Sequence, residues 1–520
     1  WSAYEWDKLV FGAGNAPSRT RPRPTIQLDD PDMEESRVEK SQHARCEKHA
    51  ADGQISKAQR ALEAGPLCAA TRSSLEKMRE LHPRSTRERE DPAGYEERLQ
   101  RVRDEIMADD APRLILEEGA FAEAARTLPW SSATWMQAGH VRMLAKTQRG
   151  MDNLRRVCQH VIDARVPMRI RPLLLDWRLV GLLKESHHAM SIEELIAECA
   201  SHAGEPEGGA TGPALRPIAI TEIIGRLAER ASAIQLRKPL RADMLPTQVG
   251  VAVPGGIELL NVLVAILFED PNTAAISVDI KNMFNEFERL AMMEELCLPR
   301  EDVDGTKSPL AALGRYMLMT YFDHGGATGW FWVAEHDHPH GGRWHRVEAQ
   351  RGANQGRPLA PAHAAGLLQA ALRPCKRLVD GIHAELGDPR MLGLLSSYLD
   401  DAICVTTIPN GVAEVLVPFF TRYKEELKKL GWEARIEKTV AILANLIQDP
   451  QGARRRDVDE ADRVHTGRGA GFAGSSGDAE PTEFVIDRGT HAHAATTSAD
   501  RRGSSSSSRS SSSSSHSSSS

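Results

Sequence analysis

The sequence predicts an α+β fold for the central part of this 520-residue chain. Short runs rich in β-branched and aromatic residues occur at 274–280, 330–334 and 402–408. Longer runs with apolar residues at helical spacing occur at 255–269, 285–297 and 411–430. The alternation of these two kinds of run places the α+β core between 205 and 445.

The segments on either side of this core differ from it in composition. Residues 1–40 are rich in Pro, Arg and Asp and are predicted to be irregular or disordered. Residues 41–202 are predicted to form a helical region, and 203–213 form a loop rich in Gly and Pro. The tail 446–520 is rich in Arg and Ser. We expect it to be disordered, because it cannot bury enough apolar surface to offset chain entropy.

Two features of the helical region bear on its structure and partners. Leu75, Met78 and Leu81 recur at helical spacing, and Pro83 marks the end of that helix. The stretch 141–185 carries ten Lys and Arg residues against four acids. A solvated helix face and a surface that contacts phosphates both fit this excess, and the sequence leaves the two open.

Charge and cysteine content exclude several classes of protein. A net charge of −7 excludes a uniformly basic nucleic-acid coat but permits a local basic groove. Seven scattered cysteines without a CxxC pair indicate a reducing compartment, so we expect the nucleus or the cytoplasm inside a cell.

No apolar run reaches the length of a membrane span, so we expect no membrane. Because the chain begins with Trp1, we expect a partial sequence.

Carboxylates at two places suggest a metal site. Asp279 follows a β-rich run, and Asp400 and Asp401 lie between two short β-type runs, as at the tip of a hairpin. Either place alone is typical of a strand end or a turn. Together they could supply the hard oxygen ligands that Mg²⁺ requires, and adjacent acids are costly unless a cation balances them. Two such ions can serve an in-line phosphoryl displacement.

Six segments in a fixed order resemble motifs of one enzyme family. They include Tyr-Leu-Asp-Asp at 398–401 and Asn-Gln-Gly at 354–356, and they span the α+β core. The six segments are 215–220, 248–258, 278–285, 351–361, 398–401 and 430–439. In this order they resemble the reverse transcriptases of non-LTR (LINE-type) retrotransposons.

The resemblance implies a right-hand polymerase with fingers and palm, in which helices back an antiparallel palm sheet. It implies an RNA-directed DNA polymerase that uses an RNA template, a DNA primer and dNTPs. Two Mg²⁺ ions, with Mn²⁺ as a possible substitute, would be held by Asp279, Asp400, Asp401 and the backbone carbonyl of Ile280. Tyr398 would complete the second carboxylate motif.

The resemblance also implies residues that hold the nucleotide. Phe284 would lie under the incoming sugar and exclude a ribose 2′-hydroxyl, which argues against an RNA-making polymerase. Gln355 and Gly356 would contact the nucleotide, and Arg216 would reach its triphosphate. Lys438 would protonate the pyrophosphate as a general acid, although an exposed lysine without that role fits equally well.

The match departs from the family pattern at several points. Arg357 stands where the family has an acid, so we expect altered pocket electrostatics, and Met283 replaces a small residue. No thumb pattern follows residue 445, which leaves a catalytically inactive, nucleic-acid-binding relic as the alternative function. Two His-containing sets are more typical of loops than of metal sites: His336, His338 and His340, and His43, Cys46 and His49. The oligomeric state is not predicted.

Overall fold

Two small β-sheets organise this chain in its computed structural model, and helices cover them. The structure describes residues 71–85, 90–128, 138–175, 177–183, 215–322, 330–335, 343–386 and 392–444. These residues all belong to one compact unit, Trp1–Gly477. The prediction of a mixed α+β core is confirmed.

Some predictions lie outside the described residues. These are the irregular segment 1–40, the loop 203–213, the tail 446–520 and the two His-containing sets. In the part of the chain that the structure describes, no helix combines the length and the apolar character needed to cross a membrane.

Among the described residues each sheet has four strands, and the strands of the two sheets are interleaved along the chain. They are β1 Trp177–Leu183, β2 Leu215–Ile220, β3 Ala274–Asp279, β4 Trp330–Glu335, β5 Arg343–Glu348, β6 Gly393–Tyr398, β7 Asp401–Thr406 and β8 Val440–Leu443. The α-helices are α1 Arg72–Glu80, α2 Pro92–Met107, α3 Glu118–Thr127, α4 Ala138–Leu144, α5 Gln148–Ile162, α6 Arg171–Leu175, α7 Ile223–Gln235, α8 Arg237–Met244, α9 Gly256–Leu267, α10 Met283–Glu286, α11 Arg289–Cys297, α12 Gly314–Tyr321, α13 Ala360–Leu386 and α14 Val417–Leu430.

The first sheet has the strand order β2-β1-β4-β5 and joins distant parts of the sequence. Strand β1 corrects the prediction that 41–202 is wholly helical. Its residues alternate between buried and half-buried from Trp177 onward, which is the period of a strand rather than a helix. Trp177 and Leu179 face the same apolar cluster as Phe331 of β4 and Leu75 and Met78 of α1. The predicted helix around Leu75 is therefore confirmed, and it covers this sheet.

The second sheet has the order β6-β7-β3-β8, with every pair antiparallel. Strand β3 is central and almost wholly buried, which fits its continuous apolar run. Helices α13 and α14 pack against each other, and residues of both lie in the same core as this sheet. Helix α14 ends at Leu430 and is capped by Gly431, whose φ of 87° is the left-handed conformation that glycine tolerates best. The chain then returns to pair β8 with β3, and the candidate site lies at the end of β3.

Candidate active site

The tip of the β6–β7 hairpin brings the carboxylates together. Tyr398 pairs with Asp401, so Leu399 and Asp400 form a two-residue turn, as the sequence predicted. Asp401 also lies directly opposite Asp279 in the β3–β7 ladder. Side chains of opposite residues point to the same face of a sheet, with Cβ atoms about 5 Å apart. The hairpin therefore places Asp401 beside Asp279, with Asp400 at the adjoining turn.

A cavity of about 900 Å³ opens beside the end of β3 and the turn of the β6–β7 hairpin. It is lined by residues from five of the six segments that the resemblance singled out, together with residues of the α1 region. The predicted site residues that line it are Arg216, Asp279, Ile280, Phe284, Gln355, Asp400 and Lys438. Segments up to 222 residues apart in the sequence, from Arg216 to Lys438, thus meet at one place.

Burial and neighbouring charges shift the pKa of two carboxylates at the site. Burial raises the pKa of Asp401 from 3.8 to about 6, and the charges of Asp400 and Asp279 add to this shift. Burial likewise raises the pKa of Asp400, and the charge of Asp279 adds to it. The charges of Lys438 and Arg216 lower the pKa of Asp400. These two cations therefore lie within electrostatic reach of the acids, although each comes from a separate segment.

Phe284 is held in the cavity wall through its backbone. The N–H of Ala353 donates to the Phe284 carbonyl at 2.8 Å. Gly352 has a φ of 72°, and a Cβ there would lie 2.3 Å from the same carbonyl oxygen. Only a glycine allows the chain to pass so close. The segment that contains Gln355 therefore holds the backbone of Phe284 in place.

Gln355 and Gly356 attach this same segment to the first sheet. The N–H of Ala219 in β2 donates to the Gln355 carbonyl at 2.7 Å. Gly356 has a φ of 106°, and a Cβ there would lie 2.7 Å from the Ala219 carbonyl oxygen. The close approach that this glycine permits is thus to strand β2, which also carries Arg216. Gln355 itself lines the cavity.

Arg435 is a site residue that the sequence analysis missed. Its guanidinium Nη1 lies 3.5 Å from Oδ2 of Asp279, and its backbone N–H donates to the Asp279 carbonyl at 2.8 Å. A second hydrogen bond joins the N–H of Lys281 to the carbonyl of Glu433. Neither bond uses the carbonyl of Ile280, which lies between them. A sequence signal that could have indicated Arg435 is its position, three residues before Lys438 in the same segment.

Arg357 corrects another expectation, because it points away from the cavity. Its side chain is 1% exposed and forms an ion pair with Glu229, which is equally buried; the Arg357 Nε lies 2.8 Å from a Glu229 carboxylate oxygen. The guanidinium also lies over the ring of Trp177, 5.0 Å from its centroid. The charge therefore links α7 to the first sheet and does not line the cavity. Met283 is 2% exposed and, unlike Arg357, also lines the cavity.

The donor set at the cavity suits a hard divalent cation. Carboxylate oxygens are the ligands that Mg²⁺ prefers, and a cation would offset the burial and the mutual repulsion that raise the pKa of Asp400 and Asp401. Within the described ranges, no three His, Cys, Asp or Glu side chains form a ready-made metal group.

No protein-family model matches the chain, and no curated protein matches it.

Proposed function

We propose that the chain is an RNA-directed DNA polymerase of a LINE-like element, which extends a DNA 3′ end on an RNA template. The observation that carries this proposal is the convergence of Arg216, Asp279, Phe284, Asp400 and Lys438 on one cavity. A set of five residues from four distant segments has no need to meet unless the cavity has a use. Carboxylates, cations and an aromatic ring are the groups that a metal-bound nucleoside triphosphate requires.

The carboxylates would hold the metal. Asp279, Asp400 and Asp401 are the candidate ligands for Mg²⁺, with the carbonyl of Ile280 available beside them. When bound, two such ions supply charge neutralisation at the attacking and leaving oxygens of a phosphoryl transfer. The protein's own contribution is to aim these carboxylates from two paired strands and a two-residue turn, so that little rearrangement is needed.

The cations and the ring would hold the nucleotide. Arg216 is exposed on β2 and lines the cavity, where its guanidinium can bind phosphate oxygens in a fork. Lys438 lines the same cavity and can donate a proton to a departing phosphate. The ring of Phe284, whose backbone is held by Ala353 and Gly352, can exclude a ribose 2′-hydroxyl. In this proposal the second sheet is the palm and the first belongs to the fingers of a right-hand polymerase.

The test is primer extension on an RNA template with Mg²⁺ and dNTPs. We expect extension by the parent chain and none by an Asp400→Ala, Asp401→Ala double variant. The matched control is Asp109→Ala, Asp110→Ala, which removes an adjacent pair of acids from an exposed turn away from the cavity. This control should extend primers at the parent rate.

A second candidate function is a nucleic-acid-binding relic without turnover, which the absence of a thumb pattern in the sequence after 445 favours. Fluorescence anisotropy with a labelled template–primer separates the two. Template–primer binding without extension, by parent and double variant alike, would establish the relic and refute the polymerase. Extension that survives in the double variant would refute the roles of Asp400 and Asp401.

A further inference from the structure

A buried glutamine contacts the turn that carries Asp400. Gln248 lies beside β6, and its side chain is 0% exposed. Its Oε1 accepts hydrogen bonds from the backbone N–H groups of Leu399, at 3.0 Å, and Gly250, at 2.7 Å. Its Nε2 donates to the Ser397 hydroxyl at 2.9 Å and to the Leu399 carbonyl at 3.3 Å. The amide therefore uses both of its donors and both of its lone pairs.

Leu399 is a residue that needs such support. Its φ is 57°, in the left-handed region that side chains with a Cβ rarely adopt. Both backbone polar groups of Leu399 are bound by the one amide of Gln248, which selects this conformation over extended ones. Asp400 follows directly, so the backbone of Leu399 decides where the Asp400 carboxylate points.

The surrounding backbone is arranged to allow this contact. A Cβ on Gly250 would lie 2.6 Å from the Leu399 nitrogen, so a glycine is needed there. The N–H of Val249 donates to the Ser397 carbonyl at 2.8 Å, and the N–H of Ser397 donates to the Thr247 carbonyl at 2.9 Å. These bonds hold the segment that carries Gln248 in register with strand β6.

We propose that Gln248 is a positioning residue of the candidate metal site. It holds Leu399 in the left-handed conformation and thereby keeps the Asp400 carboxylate at the turn that adjoins the Asp279–Asp401 pair. It acts through Leu399 and touches neither metal nor nucleotide. This inference rests on the proposed function, because it assigns a task to Asp400 as a metal ligand.

The experiment measures Mn²⁺ binding to the full chain, by electron paramagnetic resonance of the free ion and without nucleotide. Gln248→Met keeps the length of the side chain but cannot form the four hydrogen bonds. We expect it to weaken Mn²⁺ binding by about tenfold, the usual cost of losing an outer-shell partner. In a Leu399→Gly background we expect the same change to cost less than about twofold, because glycine adopts a positive φ without a Cβ penalty.

A control separates positioning from simple loss of stability. Thr247→Val removes the buried hydrogen bond from the Thr247 hydroxyl to Gln369, which is 2.7 Å long, and leaves the contacts of Leu399 in place. It should lower the thermal midpoint and leave Mn²⁺ affinity unchanged. If Gln248→Met does not fold, Gly250→Ala tests the same point, because its Cβ would crowd the Leu399 nitrogen and should weaken Mn²⁺ binding.

Unchanged Mn²⁺ affinity in folded Gln248→Met, or an equal loss with and without Leu399→Gly, would overturn the proposal. Mn²⁺ binding that does not depend on Asp400 would refute the metal site and the role of Gln248 together. Gln248-dependent Mn²⁺ binding by a chain that extends no primer would support the role of Gln248 and refute the polymerase alone.

Discussion

Replacing Arg435 by Gln should strengthen metal binding. The Arg435 guanidinium lies 3.5 Å from the Asp279 carboxylate and so competes with any cation there. At an effective dielectric constant near 20, the Coulomb attraction at that distance is roughly 5 kcal/mol. The two side chains are 25% and 17% exposed, so solvent screens the pair, and measured pairs of this kind contribute about 1 kcal/mol. Arg435→Gln should therefore tighten Mn²⁺ binding by about fivefold.

The assay is Mn²⁺ titration at constant ionic strength, because salt screens the same interaction. The matched control is Arg422→Gln, which removes the same charge from an ion pair with Glu426 on α14. This control should leave Mn²⁺ affinity within about twofold of the parent value. Weaker binding by Arg435→Gln would show that Arg435 helps to hold the metal-binding geometry, and equal binding by both variants would show that it does not compete at all.

Three further predictions concern the exclusion of ribonucleotides by Phe284, the pH dependence of stability and the buried ion pair of Arg357 with Glu229. Phe284→Ala should lower discrimination against rNTPs by roughly tenfold to a hundredfold in competitive primer extension, because the ribose 2′-hydroxyl would no longer meet a ring. Unchanged discrimination would show that Phe284 does not exclude ribonucleotides. The pKa of Asp401 is about 6 in the folded chain against 3.8 ordinarily, so this group stabilises the metal-free fold below pH 4 and loses that contribution as the pH rises to about 6. The difference in thermal midpoint between Asp401→Asn and the parent, measured with a chelator, should therefore grow across that window, and a constant difference would contradict the shift. Glu229→Gln leaves the Arg357 charge buried without its partner and should cost about 3–5 kcal/mol in urea unfolding, whereas Glu76→Gln, in an exposed pair with Arg72, should cost under about 0.5 kcal/mol; similar costs would refute the burial argument.

Local sequence patterns predicted the elements that carry the carboxylates. The apolar run before Asp279 forms β3, and the two short runs around Asp400 and Asp401 form the β6–β7 hairpin. Such elements can be recognised because short apolar runs rich in β-branched residues favour strands and because a two-residue turn needs little chain. The helical spacing of Leu75 and Met78 likewise predicted α1.

Strand β1 shows where the local pattern was insufficient. Its seven residues, Trp177–Leu183, contain apolar side chains that fit either a strand or a buried helix. Pairing with β2 on one side and β4 on the other decides the matter, and both partners lie far along the chain. The prediction that Arg357 alters the electrostatics of the pocket failed for a related reason, since its acidic partner Glu229 is 128 residues away.

The sequence by itself determined which residue types are available to a site, because a carboxylate, a guanidinium or an aromatic ring has its properties wherever it lies. Only the tertiary structure decided that Arg435 meets Asp279, that Gly356 packs on β2 and that Gln248 holds Leu399. Each of these contacts joins two segments that are distant in the sequence, and the hydrophobic periodicity within one segment carries no information about the other. Their meeting depends on how two sheets and their helices pack, and packing sums many weak contacts that no single stretch of sequence encodes.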